Sequence, residues 1–310
     1  MLLLIIILVG SILFSGCGGQ LSPPLVNPPI RHESPVQEPS GRSFLLINLL
    51  SEPDSLNPLS SDPARLAVSR LIFNGLFRPG DSGPEPDLVK EFLPGDGNRS
   101  ILIILKNEIR WHDGVEFTAS DLLCTLEKIK ETGSLTNLTS ALESIEVIDL
   151  YNLKVHCKPA AAETSLWTFG MLPSHLLLKE NLTGNSFFNQ PTGTGPYRFL
   201  GWSKSSEILL DANPDYYEGS PGISRCIFRF EQPSVAMLKL KNHELDVLEL
   251  SAEQVANQAS DKEFQQAFRV LSTALEGTQT FAVCKDLNLS IFPDGRGLIL
   301  QHDWVDELLP

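Results

Sequence analysis

Basic residues are scarce in this sequence: 24 Lys and Arg stand against 38 Asp and Glu in 310 residues, a formal net charge of −14. A chain this acidic repels phosphate backbones, and no basic patch interrupts the pattern, which argues against nucleic acid as a partner. Cysteine is sparse too. The five cysteines, at 17, 124, 157, 226 and 284, include no C-x-x-C pair, so neither a disulfide framework nor a cysteine-rich zinc site is indicated. The six histidines, at 32, 112, 156, 175, 243 and 302, include no pair at metal-ligand spacing on a helix face. H-E-x-x-H is absent, which excludes a zincin, and G-x-S-x-G is absent, which removes the nucleophile elbow. Ser174-His175 are chain neighbours rather than parts of a triad. Gly193-Thr194-Gly195-Pro196 lacks the lysine of a P-loop, and Pro196 removes an amide donor; a tight turn is expected there. No catalytic residue, metal or cofactor is indicated, and a hydrolase built from scattered residues is the remote alternative.

What is present starts with an apolar run. Residues 2–13 are broken only by Gly10 and Ser11 and lead to Ser15-Gly16-Cys17. The run is short for a membrane-spanning helix, which needs about 20 residues, and suits the apolar region of a signal peptide. Small residues before the cysteine resemble the lipobox of bacterial lipoproteins. That resemblance implies a signal peptide over 1–16, cleavage before Cys17, and a lipid on its thiol that holds the chain at a membrane. No Lys or Arg precedes the run, and Phe14 stands where the box usually has Leu, so an ordinary signal peptide and an uncleaved anchor remain alternatives. Over 17–42, Pro23, Pro24, Pro28, Pro29, Pro35 and Pro39 predict a disordered spacer.

The whole chain is 42% hydrophobic and 20% charged, enough to bury a core, and the length suits about two domains. Residues 43–50 and 100–106 read as strands. Asp62 can cap a helix opened by Pro63, with Leu66, Leu71 and Ile72 inward and Gly75 as its stop. Thr118 to Asp121 resembles a capping box before Leu122, Leu126 and Ile129, and Gly133 ends that helix. Alternation over 145–149 and 153–157 predicts a hairpin, and a meander follows over 197–202, 207–211 and 223–230. A helix is expected over 234–245 with Val235, Leu238 and Leu245 on one side. Trp111 reads as core, His112-Asp113-Gly114 as a turn, and Glu143/Glu146 and Glu244/Asp246 as solvated faces. Without a regular βαβ rhythm the fold class is mixed α/β, α+β-like.

Five ordered segments carry a resemblance. They are Ser51-Glu52-Pro53-Asp54-Ser55-Leu56-Asn57-Pro58; Leu71-Ile72-Phe73-Asn74-Gly75-Leu76; Ile109 to Gly114 with Phe117 to Asp121; Gly193-Thr194-Gly195-Pro196-Tyr197 with Asn213 to Tyr217; and Glu244-Leu245-Asp246-Val247. Together they resemble the family 5 extracellular solute-binding proteins, the oligopeptide- and dipeptide-binding receptors of ABC importers. The resemblance implies a periplasmic-binding-protein-like class II fold, in which two hinged lobes trap ligand without altering it. It places the first lobe at 43–71 plus 193–271, an accessory domain at 72–192, and the start of a second lobe at 272–310. The loop Ser61-Asp62-Pro63-Ala64 would present backbone to a peptide or small solute, although helix capping is the competing role for Asp62. Implied partners are the importer's membrane subunits and, through the lipid, a membrane of the bacterial envelope.

The family's chains are much longer, so this reading expects a carboxyl-terminally truncated receptor with its second lobe largely missing and an unpaired crossing strand. Phe292 to Arg296 resembles the opening of that lobe's first helix, with Gly295 and Gly297 replacing helix formers. Losing one wall of a cleft leaves an association entropy of about 4–15 kcal/mol poorly offset, so weak or absent peptide binding is expected of the chain alone. A truncated, non-transporting envelope interaction protein is the alternative.

Overall fold

The computed structural model describes residues 44–80, 83–258, 260–272 and 280–284. The signal segment, Cys17, the proline-rich spacer and the stretch from Phe292 to Arg296 lie outside them. Strand β1 (Phe44–Asn48) buries Leu45, Ile47 and Asn48, as expected for an apolar strand with partners on both sides. Helix α1 (Pro63–Ile72) starts where its capping residues predict: the Asp62 carboxylate accepts from the Arg65 N–H at 3.2 Å, and Pro63 needs no donor at the first position. Its buried face is Ala64, Ala67, Val68, Ser69, Leu71 and Ile72, while Leu66 is half-buried. The helix stops at Phe73, which is extended, so Gly75 lies beyond it.

The chain then builds smaller sheets. Strands β2 (Phe77–Arg78) and β3 (Glu85–Pro86) pair with each other. Next come β4 (Val89–Gly95), β5 (Ser100–Leu105), α2 (Ala119–Thr132), α3 (Thr136–Thr139), β6 (Leu142–Val147), β7 (Asn152–Cys157) and α4 (Ser174–Leu177). Their four strands form an antiparallel sheet in the order β4-β5-β7-β6, which contains the expected hairpin. Helix α2 is closed at its start by Asp121, which accepts from the Thr118 N–H at 2.8 Å, and at its end by Gly133 at φ 67°.

The return adds β8 (Tyr197–Ser203), β9 (Glu207–Ala212), β10 (Arg225–Arg229), α5 (Pro233–Lys241), β11 (Val247–Leu250), α6 (Ala252–Gln258), α7 (Lys262–Ala267), β12 (Phe268–Ser272) and β13 (Thr280–Cys284). With β1 they make a seven-stranded sheet ordered β12-β13-β11-β1-β10-β9-β8, in which β1 runs parallel to both β10 and β11. Phe281 and Val283 pack into one hydrophobic cluster and Ala282 and Cys284 into another, so this sheet is covered on both faces. The first cluster also takes in Ile101, Ile103, Leu153 and Val155 of the four-stranded sheet.

Three expectations are corrected. The crossing strand expected to be unpaired is paired on both sides: β13 lies antiparallel between β11 and β12, because an unbroken apolar run buries best in an internal position. Helix α5 ends at Lys241 and buries Ala236 and Leu240, one turn apart, leaving Val235 45% and Leu238 61% exposed. Asp246 is not on a solvated face: it is buried and its carboxylate accepts from the Leu46 N–H at 2.9 Å.

Candidate functional site

In open α/β sheets ligands bind outside the carboxyl ends of the strands, where the loops leave. Here the parallel strands β1, β10 and β11 all end on one edge of the sheet and each leads into a helix. Buried Asn48 ties two of these ends together. Its amide nitrogen donates to the carbonyls of Leu49 (3.0 Å) and Glu231 (3.3 Å), and its oxygen accepts from the Glu231 N–H (2.8 Å). Glu249 accepts from the Leu50 N–H at 2.9 Å and joins the third end.

The loop from β1 to α1 is fastened at several points. Glu52 accepts from the Trp202 indole N–H (2.8 Å) and the Ser205 N–H (2.9 Å), the Leu56 N–H donates to the Phe188 carbonyl (3.0 Å), and Asn57 accepts from the Leu59 N–H (3.0 Å). Ser60 Oγ accepts from the Asp62 N–H (3.0 Å). Ser61, like Ser51 earlier in the loop, is exposed, and its own N–H and C=O make no hydrogen bond with the described residues. Of its neighbours, Asp62 is engaged as the helix cap, and Ala64 is buried with its N–H in a first turn that has no helical acceptor. A separate depression of about 480 Å³ lies between 189–192 and the β8 residues Phe199 to Trp202.

The motif residues converge elsewhere, where the chain leaves and re-enters the large sheet. The Gly195 N–H donates to the Ile72 carbonyl at 2.8 Å, and a Cβ on Gly193 would stand 1.8 Å from that same oxygen. Neither glycine has a positive φ; close approach of two backbones, not turn geometry, requires them. Asn74 donates to Asp87 (2.9 Å) and Tyr216 (3.1 Å), and the Thr194 hydroxyl donates to the Asn74 side-chain oxygen (3.2 Å). Tyr217 also donates to Asp87. Burial raises the Asp87 carboxyl above its ordinary range, and Arg78, 3.0 Å from Glu218 and 4.0 Å from Asp87, opposes that rise. His112 accepts from the Gly193 N–H at Nδ1 (3.2 Å), so Nε2 carries the proton to the Gly195 carbonyl (2.9 Å). Burial depresses this imidazole to about 4.

His112 is thus engaged with backbone, and Asn74, Asp87, Tyr216 and Tyr217 with one another. Trp111 is core, as the sequence predicts. Ser174 donates to Asp121 at 2.7 Å while His175 pairs with Asp113 at 2.7 Å, so serine and histidine are engaged with different carboxylates. Among the described residues no group of three or more His, Cys, Asp or Glu is placed to hold a metal ion. Sequence reasoning missed Arg65 and the Asn74–Asp87 pair; only the three-residue spacing of Asp62 and Arg65 hinted at the first, and nothing local marked the second.

Known proteins share this architecture. The oligopeptide-binding protein AppA of Bacillus subtilis is 25% identical over 246 residues, covering 74% of this chain and 44% of AppA. The crystal structure of NikZ from Campylobacter jejuni in complex with Ni(L-His) superposes with a TM-score of 0.66 at 29% identity, covering 75% of this chain and 48% of NikZ. The B. subtilis AppA structure in complex with a nonapeptide gives a TM-score of 0.65 at 22% identity and shares the fold. The chain spans between 32% and 44% of the length of such curated relatives. Residues 83–285 match the family described as bacterial extracellular solute-binding proteins, family 5 Middle, and the chain belongs to that family of binding proteins, not of enzymes.

Proposed function

We propose that this chain is the solute-binding lipoprotein of a peptide ABC importer and captures oligopeptides or related solutes outside the cytoplasmic membrane. The observation that carries the reading is Ser61, an exposed residue just before α1 whose main-chain donor and acceptor make no hydrogen bond with the described residues, while side-chain bonds hold both of its neighbours. Every peptide carries the same main-chain groups, so pairing with Ser61 would give affinity that is indifferent to ligand sequence. The Ala64 N–H would be a second donor, and Asp62, retaining its cap, would set the direction of the loop. In this reading 43–71 and 193–271, extended by β13, form the first lobe, and 72–192 the accessory domain. The lipid on Cys17 would hold the protein in the bacterial envelope beside the importer's membrane subunits, which would receive the ligand unaltered.

The likeness to AppA with its nonapeptide supports peptide as the ligand class, and the likeness to NikZ with Ni(L-His) supports a metal chelate as the second reading. A proton–nitrogen NMR titration separates them, because it detects even millimolar binding. A mixed-sequence nonapeptide should shift the Ser61 and Ala64 amides saturably, and a nickel–histidine chelate should not. Shifts from the chelate alone would exchange the ligand class, and none from either would sink the capture reading. In cells, radiolabelled palmitate should label the wild-type chain and not Cys17→Ser.

A further inference from the structure

We infer that Arg65 is the positioning residue of the ligand loop: its guanidinium cross-braces Asp54, Ser60 and Asp62, so that Ser61 offers its unpaired main chain to an extended peptide. The inference rests on the capture reading above. Arg65 stands in the first turn of α1, and its side chain folds back over the loop that enters the helix. Nη2 donates to Asp54 Oδ2 at 2.5 Å, Nη1 donates to Ser60 Oγ at 2.9 Å, and Nε lies 4.0 Å from Asp62 Oδ2. Nε is buried without a hydrogen bond to the described residues, a cost that accompanies this orientation of the fork. Ser60 Oγ accepts from Arg65 and from the Asp62 N–H, so both neighbours of Ser61 are fixed while Ser61 itself is left unpaired.

Stability does not explain the arrangement. The Asp54 side chain is 70% exposed, and an ion pair with so wet a partner contributes about 0–1 kcal/mol. A cation in the first turn also opposes the helix dipole, so the position favours an acidic residue on helix grounds. What a guanidinium supplies here is geometry. Its planar fork reaches separate acceptors in fixed directions, which the point charge of lysine cannot do.

The test uses the full chain, the nonapeptide titration above, and temperatures well below melting. Arg65→Ala and Arg65→Lys should both melt close to wild type yet bind about tenfold more weakly or worse, the loss expected when a preorganised main-chain edge becomes mobile. Lysine should not rescue, and Ser60→Ala should reproduce the loss while adding little to Arg65→Ala. Wild-type affinity in both Arg65 variants would overturn the role of Arg65. If Arg65→Ala fails to fold, undiminished binding by Arg65→Lys and Ser60→Ala would do so. If wild type binds no peptide, the capture reading fails instead, and amide exchange decides the brace: unchanged exchange at Ser61 and Asp62 in Arg65→Lys overturns it.

Discussion

His112 shows how a residue with catalytic chemistry can be consumed by structure. Its ring is buried against the Gly193–Gly195 backbone, with Nδ1 already accepting a hydrogen bond, so a second ring proton would face the Gly193 N–H. The pKa falls from 6.5 to about 4, so the unfolded chain binds a proton here at a pH where the folded chain does not. Stability contributed by His112 is therefore complete above about pH 6.5 and lost as pH falls toward 4, by on the order of 3 kcal/mol. Urea denaturation across that range should show the acid loss in wild type and a smaller one in His112→Asn. Parallel pH profiles would show that the ring titrates normally. Asp87 acts in the opposite sense: burial raises its carboxyl, so its contribution is largest in acid and declines as pH rises through the folded-state pKa. The sequence marked His112 as a turn residue and Trp111 as core, but not the partners of either, because Gly193 and Gly195 approach from 81 and 83 residues away.

At the scale of elements, caps and alternation decided most boundaries. Asp62-Pro63, the Thr118–Asp121 box and Gly133 act within one helical turn, so they are readable locally. The face of α5 was not readable, because Val235 and Leu238 are apolar and only the packing partner decides which side is inward. The glycines of the return segment carry an element-scale prediction. Gly193→Ala would drive a methyl group to 1.8 Å from the Ile72 carbonyl oxygen, whereas a Cβ on Gly201 of β8 meets nothing within 4 Å. Chemical denaturation should therefore find Gly193→Ala destabilised by about 3 kcal/mol or more and Gly201→Ala within about 0.5 kcal/mol of wild type. Similar stabilities for the two would mean that the backbones at 72 and 193 are not in contact. His243 illustrates the same logic from the other side: it takes φ 57° after α5, where glycine would be easier.

For the molecule as a whole, the continuous apolar cluster that joins the two sheets predicts cooperative opening. Cys124 and Cys157 lie in the smaller-sheet half and Cys226 and Cys284 in the seven-stranded sheet; all four are buried thiols outside any disulfide. Burial pushes the Cys124 thiol up to about 11 and raises Cys157 and Cys226 as well, so little thiolate is present at neutral pH. In a Cys17→Ser background these four thiols should resist an aromatic disulfide reagent until denaturant unfolds the chain, then react over one transition. Labelling of Cys124 and Cys157 ahead of Cys226 and Cys284 would show instead that the smaller-sheet half opens alone.

The amino-acid sequence by itself determined the caps, the strand alternation, the mixed α/β class and the family, since each depends on residue types a few positions apart or on ordered motifs. It also picked out the Ser61–Ala64 loop, though only through the resemblance. Tertiary structure alone decided that β13 lies between β11 and β12, that His112 binds the backbone of Gly193 and Gly195, and that Ser61 has no main-chain partner among the described residues while Arg65 holds its neighbours. Those outcomes depend on hydrogen bonds and packing between segments distant in the chain or folded back over one another, which no local pattern of residue types encodes.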